Sequence, residues 1–169
     1  MALPLPDIQA PSGCASRNLQ IERIFAASRA LVWAAWTTPE MLVRWLGPAD
    51  YPAISSSQDL VVGGRWSAVL QNAAGSTLEQ RGEYREIVPL ERLVFTFLWV
   101  GDHEDGEPID TLVTVMLSDA SAGGTRMVFR HEFLKSSTSR AGHRHGWKSS
   151  FGRLDEWLAI RTGTKRDEG

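Results

Sequence analysis

Few residues in this sequence have the types and spacing that chemistry requires. His143-Arg144-His145 resembles a two-ligand metal tract. On a helix, however, side chains two apart diverge by about 200°, so no metal is expected there. The single cysteine, Cys14, lies in a Pro/Ser/Gly-rich lead-in, and zinc would lack its usual cluster of ligands. A hydrolase needs a nucleophile beside a base, and no G-x-S-x-G elbow is present. Gly63-Gly64 lacks the Lys-Ser/Thr that would make a phosphate loop. Glu83, Tyr84, His131 and His143 remain as acid/base candidates of the kind an aldol-type cyclase would use. They assign no catalytic residue, and no cofactor is implied.

These residues must be positioned by regular elements, and the most informative is the last. Arg140 to Arg161 reads as one long amphipathic helix. At about 100° per residue, Trp147, Phe151, Leu154 and Leu158 form one stripe, with Trp157 on its flank. Lys148, Arg153, Asp155 and Glu156 fall outside it. His143, Ser150 and Arg161 fall on or near the stripe, where a polar group must find a partner. Two readings stay open: they bond to nearby backbone, or they line a cavity and orient a ligand. Gly142 and Gly146 each cost a helix about 1 kcal/mol relative to Ala. Close approach of another backbone beside Trp147 would explain them, as would fraying at the helix start.

Upstream, Leu19 to Phe25 alternates as a strand. Ser28 can cap a helix over Arg29 to Thr37. Thr38-Pro39 starts a second short helix that Gly47-Pro48 ends. From Ser55 the period changes from about 3.6 to 2. Strands are expected over Asp59–Val62, Arg65–Gln71, Thr77–Val88, Arg92–Val100, Thr111–Leu117 and Thr125–Leu134. Arg92–Val100 is apolar on both sides, which suggests a central strand covered on both faces. Met127, Phe129, His131 and Phe133 share one face of the last strand. Gly101 to Asp110 is acidic but lacks the ligand spacing of a calcium loop, and reads as a solvated hairpin tip. The fold class is therefore α+β: a curved antiparallel sheet wrapped around a long C-terminal helix (a helix-grip), with two short helices after the first strand. The division expected is a flexible arm over 1–18, one domain over 19–162 and a polar tail over 163–169.

Composition excludes several classes. The 169 residues carry a formal net charge of −2 and no strong basic run, which argues against nucleic acid as the main partner. No apolar run reaches membrane-spanning length, so no membrane insertion is expected. One cysteine allows no intrachain disulfide, and a reducing cytoplasm is the expected location. Seven Trp is a high count for this length, and most are expected in the core or in a cavity wall.

The pattern resembles a known group. It carries Ile24-Phe25-Ala26-Ala27-Ser28 with Val32-Trp33 and Trp36-Thr37. Thr38-Pro39-Glu40 follows, with Trp45 and Gly47-Pro48, then Gly63-Gly64-Arg65-Trp66. Gly82-Glu83-Tyr84 precedes Glu86-Ile87-Val88-Pro89 and Glu91-Arg92-Leu93-Val94-Phe95-Thr96. Gly124-Thr125-Arg126, then His143 with Gly146-Trp147 and Leu154, complete the set. In order and spacing these resemble the SRPBCC (START-like, helix-grip) superfamily, in the branch of the activator of Hsp90 ATPase C-terminal-domain-like proteins. Leu46 departs from it, since many relatives carry a second Trp there.

The resemblance implies a cavity between sheet and long helix that admits apolar or aromatic small molecules. Its members include lipid carriers, hormone-binding proteins, aromatic polyketide cyclases, a protein that sequesters an enediyne and an Hsp90 co-chaperone domain. Three functions follow as expectations: an apolar-ligand binding protein, a cyclase-type enzyme on a polyketide-like substrate, or an Hsp90-type co-chaperone or protein-binding module. For the first, the expected walls are Trp66, Phe97, Trp99, Phe129, Trp147 and Phe151, with Tyr84, His131 and His143 as polar contacts. The partner is then an apolar small molecule or a protein, and the chain a monomer or homodimer.

Overall fold

The computed structural model describes residues 17–101 and 109–163. The expected arm before Arg17, with Cys14, lies outside them. So do residues 102–108 of the acidic segment and the tail from Thr164.

Seven strands form one antiparallel sheet: β1 (Leu19–Phe25), β2 (Ala53–Gln58), β3 (Arg65–Gln71), β4 (Thr77–Val88), β5 (Arg92–Trp99), β6 (Thr111–Asp119) and β7 (Thr125–Glu132). Their spatial order is β1-β7-β6-β5-β4-β3-β2. Two short helices, α1 (Arg29–Thr37) and α2 (Pro39–Leu42), follow β1, and the long helix α3 (Ser137–Thr162) closes the described chain. This is the α+β helix-grip arrangement expected from the periodicities. Helix boundaries follow local chemistry. The Ser28 hydroxyl accepts from the Leu31 N–H at the start of α1, and Pro39 opens α2 where its missing N–H costs nothing. Ser136 caps α3 through the Ser139 N–H, so this helix starts three residues earlier than its apolar stripe suggests. Gly163 ends it in the left-handed region.

The core lies between the concave sheet face and α3. Inward residues of β1, β3, β6 and β7 alternate with outward ones, as a pleated strand requires. Trp36 of α1 sits at its centre. Its ring lies 4.7 Å from Trp45, 6.3 Å from Phe129 and 6.1 Å from Phe151. Trp147 and Phe151 extend this aromatic cluster onto α3, their rings 5.6 Å apart. Each such side chain, fully buried, contributes about 1.5–3 kcal/mol.

The sheet has no room for a side chain at Gly82. A Cβ there would collide with the Thr96 carbonyl oxygen and the Trp66 indole nitrogen. Trp66, opposite Gly82 on β3, instead reaches across β4 and donates its indole N–H to Thr96 O at 2.9 Å. The bond that ties β3 to β5 across β4 thus depends on a missing side chain.

The structure corrects five expectations. The second short helix ends at Leu42, well before Gly47-Pro48. Asp59–Val62 is a turn, and the strand pairing with β3 is Ala53–Gln58. The turn closes on itself through Val61 N–H to Asp59 O and Gly64 N–H to Val61 O, which leaves Leu60, Val61 and Val62 exposed. The last strand stops at Glu132. Phe133 has φ +67° and is 57% exposed, so it leaves the inward face it would share with His131. Asn18 Oδ1 takes the Phe133 N–H, and Arg17 O takes the Leu134 N–H, which holds that kink. Strand β5 is central, and both its faces are buried, but the packed helices lie on the side of Phe95 and Phe97. Arg161 is exposed and lies over the Trp157 ring at 4.8 Å.

Candidate functional site

The first half of α3 does not close against the sheet. Between them is an open cavity of about 580 Å³. Its floor and far wall come from the ends of four strands: Leu70 of β3, Leu78 and Gln80 of β4, Phe97 and Trp99 of β5, and Thr111 of β6. Leu46, Gly47 and Tyr51, after α2, form one side. Ser139, Gly142, His143, Gly146, Trp147 and Ser150 of α3 form the other. Exposed Asp50 and His145 mark the mouth.

The side after α2 is tied to α3, where Ser149 Oγ accepts the Ala49 N–H at 3.1 Å. Arg153, on α3, donates through Nη1 to the carbonyls of Trp45, Leu46 and Gly47, and through Nη2 to that of Arg44. Gly47 has φ +89°, and a Cβ on it would strike the Tyr51 carbonyl oxygen. The chain therefore turns tightly here and presents Leu46 inward.

Gly142 and Gly146 take their meaning from the cavity. A Cβ on either meets nothing within 4 Å, so no backbone approaches them closely. They keep the wall thin where the helix faces open space.

Of the nine residues expected to contact a ligand, Phe97, Trp99, His143 and Trp147 line this cavity. Trp66 and Tyr84 border a separate inner void of about 20 Å³, together with Trp36 and Gln58. Phe129, His131 and Phe151 are packed in the core with no exposed surface. Leu46 and Trp147 border both spaces and stand between them. The strand alternation contained part of what was missed: Leu70 lies on the Trp66 face of β3. Gln80, Leu78 and Tyr51 carried no such signal, because β4 reads as polar and residues 48–52 as loop.

Two histidines knit the wall to the core through opposite tautomers. The Trp147 indole N–H donates to His131 Nδ1 at 3.0 Å. His131 Nε2 lies 2.6 Å from Thr111 Oγ1, which itself donates to Phe97 O at 2.7 Å. Thr111 must therefore accept, and His131 carries its proton on Nε2. His143 is the reverse: Nδ1–H donates to Ser139 O at 2.7 Å, and Nε2 accepts the Trp99 indole N–H at 3.0 Å. Burial, and then the neighbouring His143, hold His131 well below its ordinary value of 6.5. It is a neutral structural group at neutral pH.

The remaining acid/base candidates are also in structural settings. Burial pushes the Tyr84 phenol well above its ordinary range, and Glu83 pairs with Arg85 at 3.3 Å. Ser150 donates to Gly146 O at 2.9 Å. Among the described residues no group of three or more His, Cys, Asp or Glu is placed to hold a metal. Among them, too, no helix is long and apolar enough to cross a membrane.

Comparison with known proteins agrees with this fold. A solved structure from Nitrosomonas europaea matches with TM-score 0.72 at 25% identity, over 87% of this chain and 97% of that one. One from Rhizobium leguminosarum matches with TM-score 0.70 at 26% identity, over 85% and 94%. The AHSA1 protein from Silicibacter pomeroyi matches with TM-score 0.73 at 24% identity, over 85% and 99%. No curated protein matches the chain. The profile described as Activator of Hsp90 ATPase homolog 1-like protein matches residues 26–159. The chain belongs to that family.

Proposed function

We propose that this protein binds an apolar, aromatic-bodied small molecule in the cavity between its sheet and α3. One observation carries the reading. A core otherwise closed by stacked aromatics opens, beside Phe97, Trp99 and Trp147, into about 580 Å³ of space. That is the size of site that encloses a drug-sized molecule. Its polar wall groups Thr111, Ser150 and His143 are bonded within the protein, which suits holding a ligand better than moving protons. The proposal places the protein in the cytoplasm, in keeping with its single cysteine.

The test is native mass spectrometry of protein purified from its own host, followed by a thermal-shift screen of aromatic and lipid-like compounds. A co-purifying mass, or stabilisation that rises with ligand concentration, supports the cavity. Turnover assays then separate carrier from enzyme. No bound mass and no shift contradict it and turn attention to a protein partner, sought by pull-down.

A further inference from the structure

One residue on the cavity wall does not fit an apolar binder. Gln80 is 5% exposed, yet its Oε1 is buried with no hydrogen-bond partner. It sits mid-strand on β4 opposite Trp99, and both line the cavity. The two other fully buried polar residues of the wall are satisfied. Thr111 donates to Phe97 O, and Ser150 donates to Gly146 O. A buried amide oxygen without a partner is costly, and native interiors keep few of them. A hydrophobic residue of similar shape would remove that cost, and the sequence does not place one there.

Resting on the proposed cavity function, we infer that Gln80 is the specificity residue of this site, and that its ligand is an uncharged aromatic molecule bearing one hydroxyl or amide group. A carboxamide both donates and accepts, so it matches a group that can do either. The oxygen has almost no accessible surface beside the open cavity, so the amide must turn outward to meet a ligand; a filled cavity shuts water out, and the ligand then completes the bond. The group is uncharged because a neutral amide alone cannot offset the desolvation of an ion. The chargeable residues that line the cavity, Asp50 after α2, Lys135 before α3, and His143 and His145 on α3, all lie off the strand that carries Gln80. The aromatic body follows from the rings of Phe97, Trp99 and Trp147, which line the same cavity as the amide.

The test uses four matched probes: 2-naphthol, 2-naphthamide, 2-methylnaphthalene and 2-naphthoate. Their dissociation constants are measured by ligand-observed NMR on the full chain and on Gln80→Met and Gln80→Leu. The naphthol and the amide should bind the native chain about tenfold more tightly than the methyl compound. They should also bind more tightly than the carboxylate. In Gln80→Met that preference should vanish while 2-methylnaphthalene still binds, and the variant's melting temperature should hold or rise. Gln80→Leu repeats the test with a different shape should Met pack poorly. A preference that survives both substitutions overturns the inference and leaves the cavity reading standing. If the native chain binds none of the four, both fall.

Discussion

The two halves of α3 do different work. From Trp147 to Leu158 the helix is a core element: Phe151, Leu154 and Leu158 are buried, and the Phe151 ring packs tilted or edge-on against Trp36, Trp45 and Phe129. From Ser137 to Gly146 it is a cavity wall, built from hydroxyls, two glycines and two histidines. One helix, continuous in its hydrogen bonding, thus passes from maximal packing to deliberate under-packing within about three turns. Helical periodicity reports which face turns inward. It does not report whether that face meets side chains or open space.

The largest effect should separate the halves directly. Trp147→Ala and Phe151→Ala should each cost about 3–5 kcal/mol in chemical denaturation, whereas Thr138→Ala, on the other half, should stay within about 0.5 kcal/mol. Equal losses would erase the distinction. Next is the clamp between them. Arg153→Lys should cost about 2 kcal/mol, because an ammonium cannot span four carbonyls as the guanidinium fork does. The same variant should loosen ligand binding, since the wall bearing Leu46 is no longer held.

The junction is pH-sensitive. His131 stays neutral when folded, with a value lowered by burial and then by His143, while an unfolded histidine titrates near 6.5. Below about pH 6.5 the unfolded chain takes up a proton that the folded chain refuses. This contribution is therefore complete above that pH and is lost as pH falls, by up to about 1.4 kcal/mol per pH unit. His131→Gln keeps an acceptor for Trp147 but does not titrate. The stability gap between it and the native chain should narrow from pH 7.5 to pH 5, measured by urea unfolding. The smallest effect has the opposite sign. Gly142→Ala should stabilise by up to about 1 kcal/mol, because helix propensity improves and the new methyl meets nothing. It should also weaken ligand binding, since the methyl enters the cavity. Destabilisation would mean the wall is tighter than the structure shows.

The fold was largely legible because period and caps agree over most of the chain. Leu19–Phe25, Arg29–Thr37, Arg65–Gln71 and Thr77–Val88 occur with the boundaries their patterns imply. Asp59–Val62 misled because its apolar residues look like a strand, while the serines of Ala53–Gln58 do not. Pairing with β3 decided the matter, and pairing is a tertiary fact. Phe133 misled because a positive φ at a bulky residue has no sequence signature. The site was legible in part. Phe97, Trp99, His143 and Trp147 emerged because aromatics and histidines draw attention on any face. Phe129, His131 and Phe151 lie on the same inward faces but deeper, and a face assignment has no depth. Gln80 went unnoticed because a glutamine in a polar strand looks solvated until its place in the cavity wall is known.

The most direct test follows the indole N–H resonances of the seven Trp by two-dimensional NMR during titration with 2-naphthol. The account predicts saturable shifts at Trp99 and Trp147, which line the cavity. Trp45, bonded to Ala35 O, and Trp66, bonded to Thr96 O, should stay in place. Shifts confined to Trp33 and Trp157, which are partly buried and lie outside the cavity wall, or none that saturate, would contradict it.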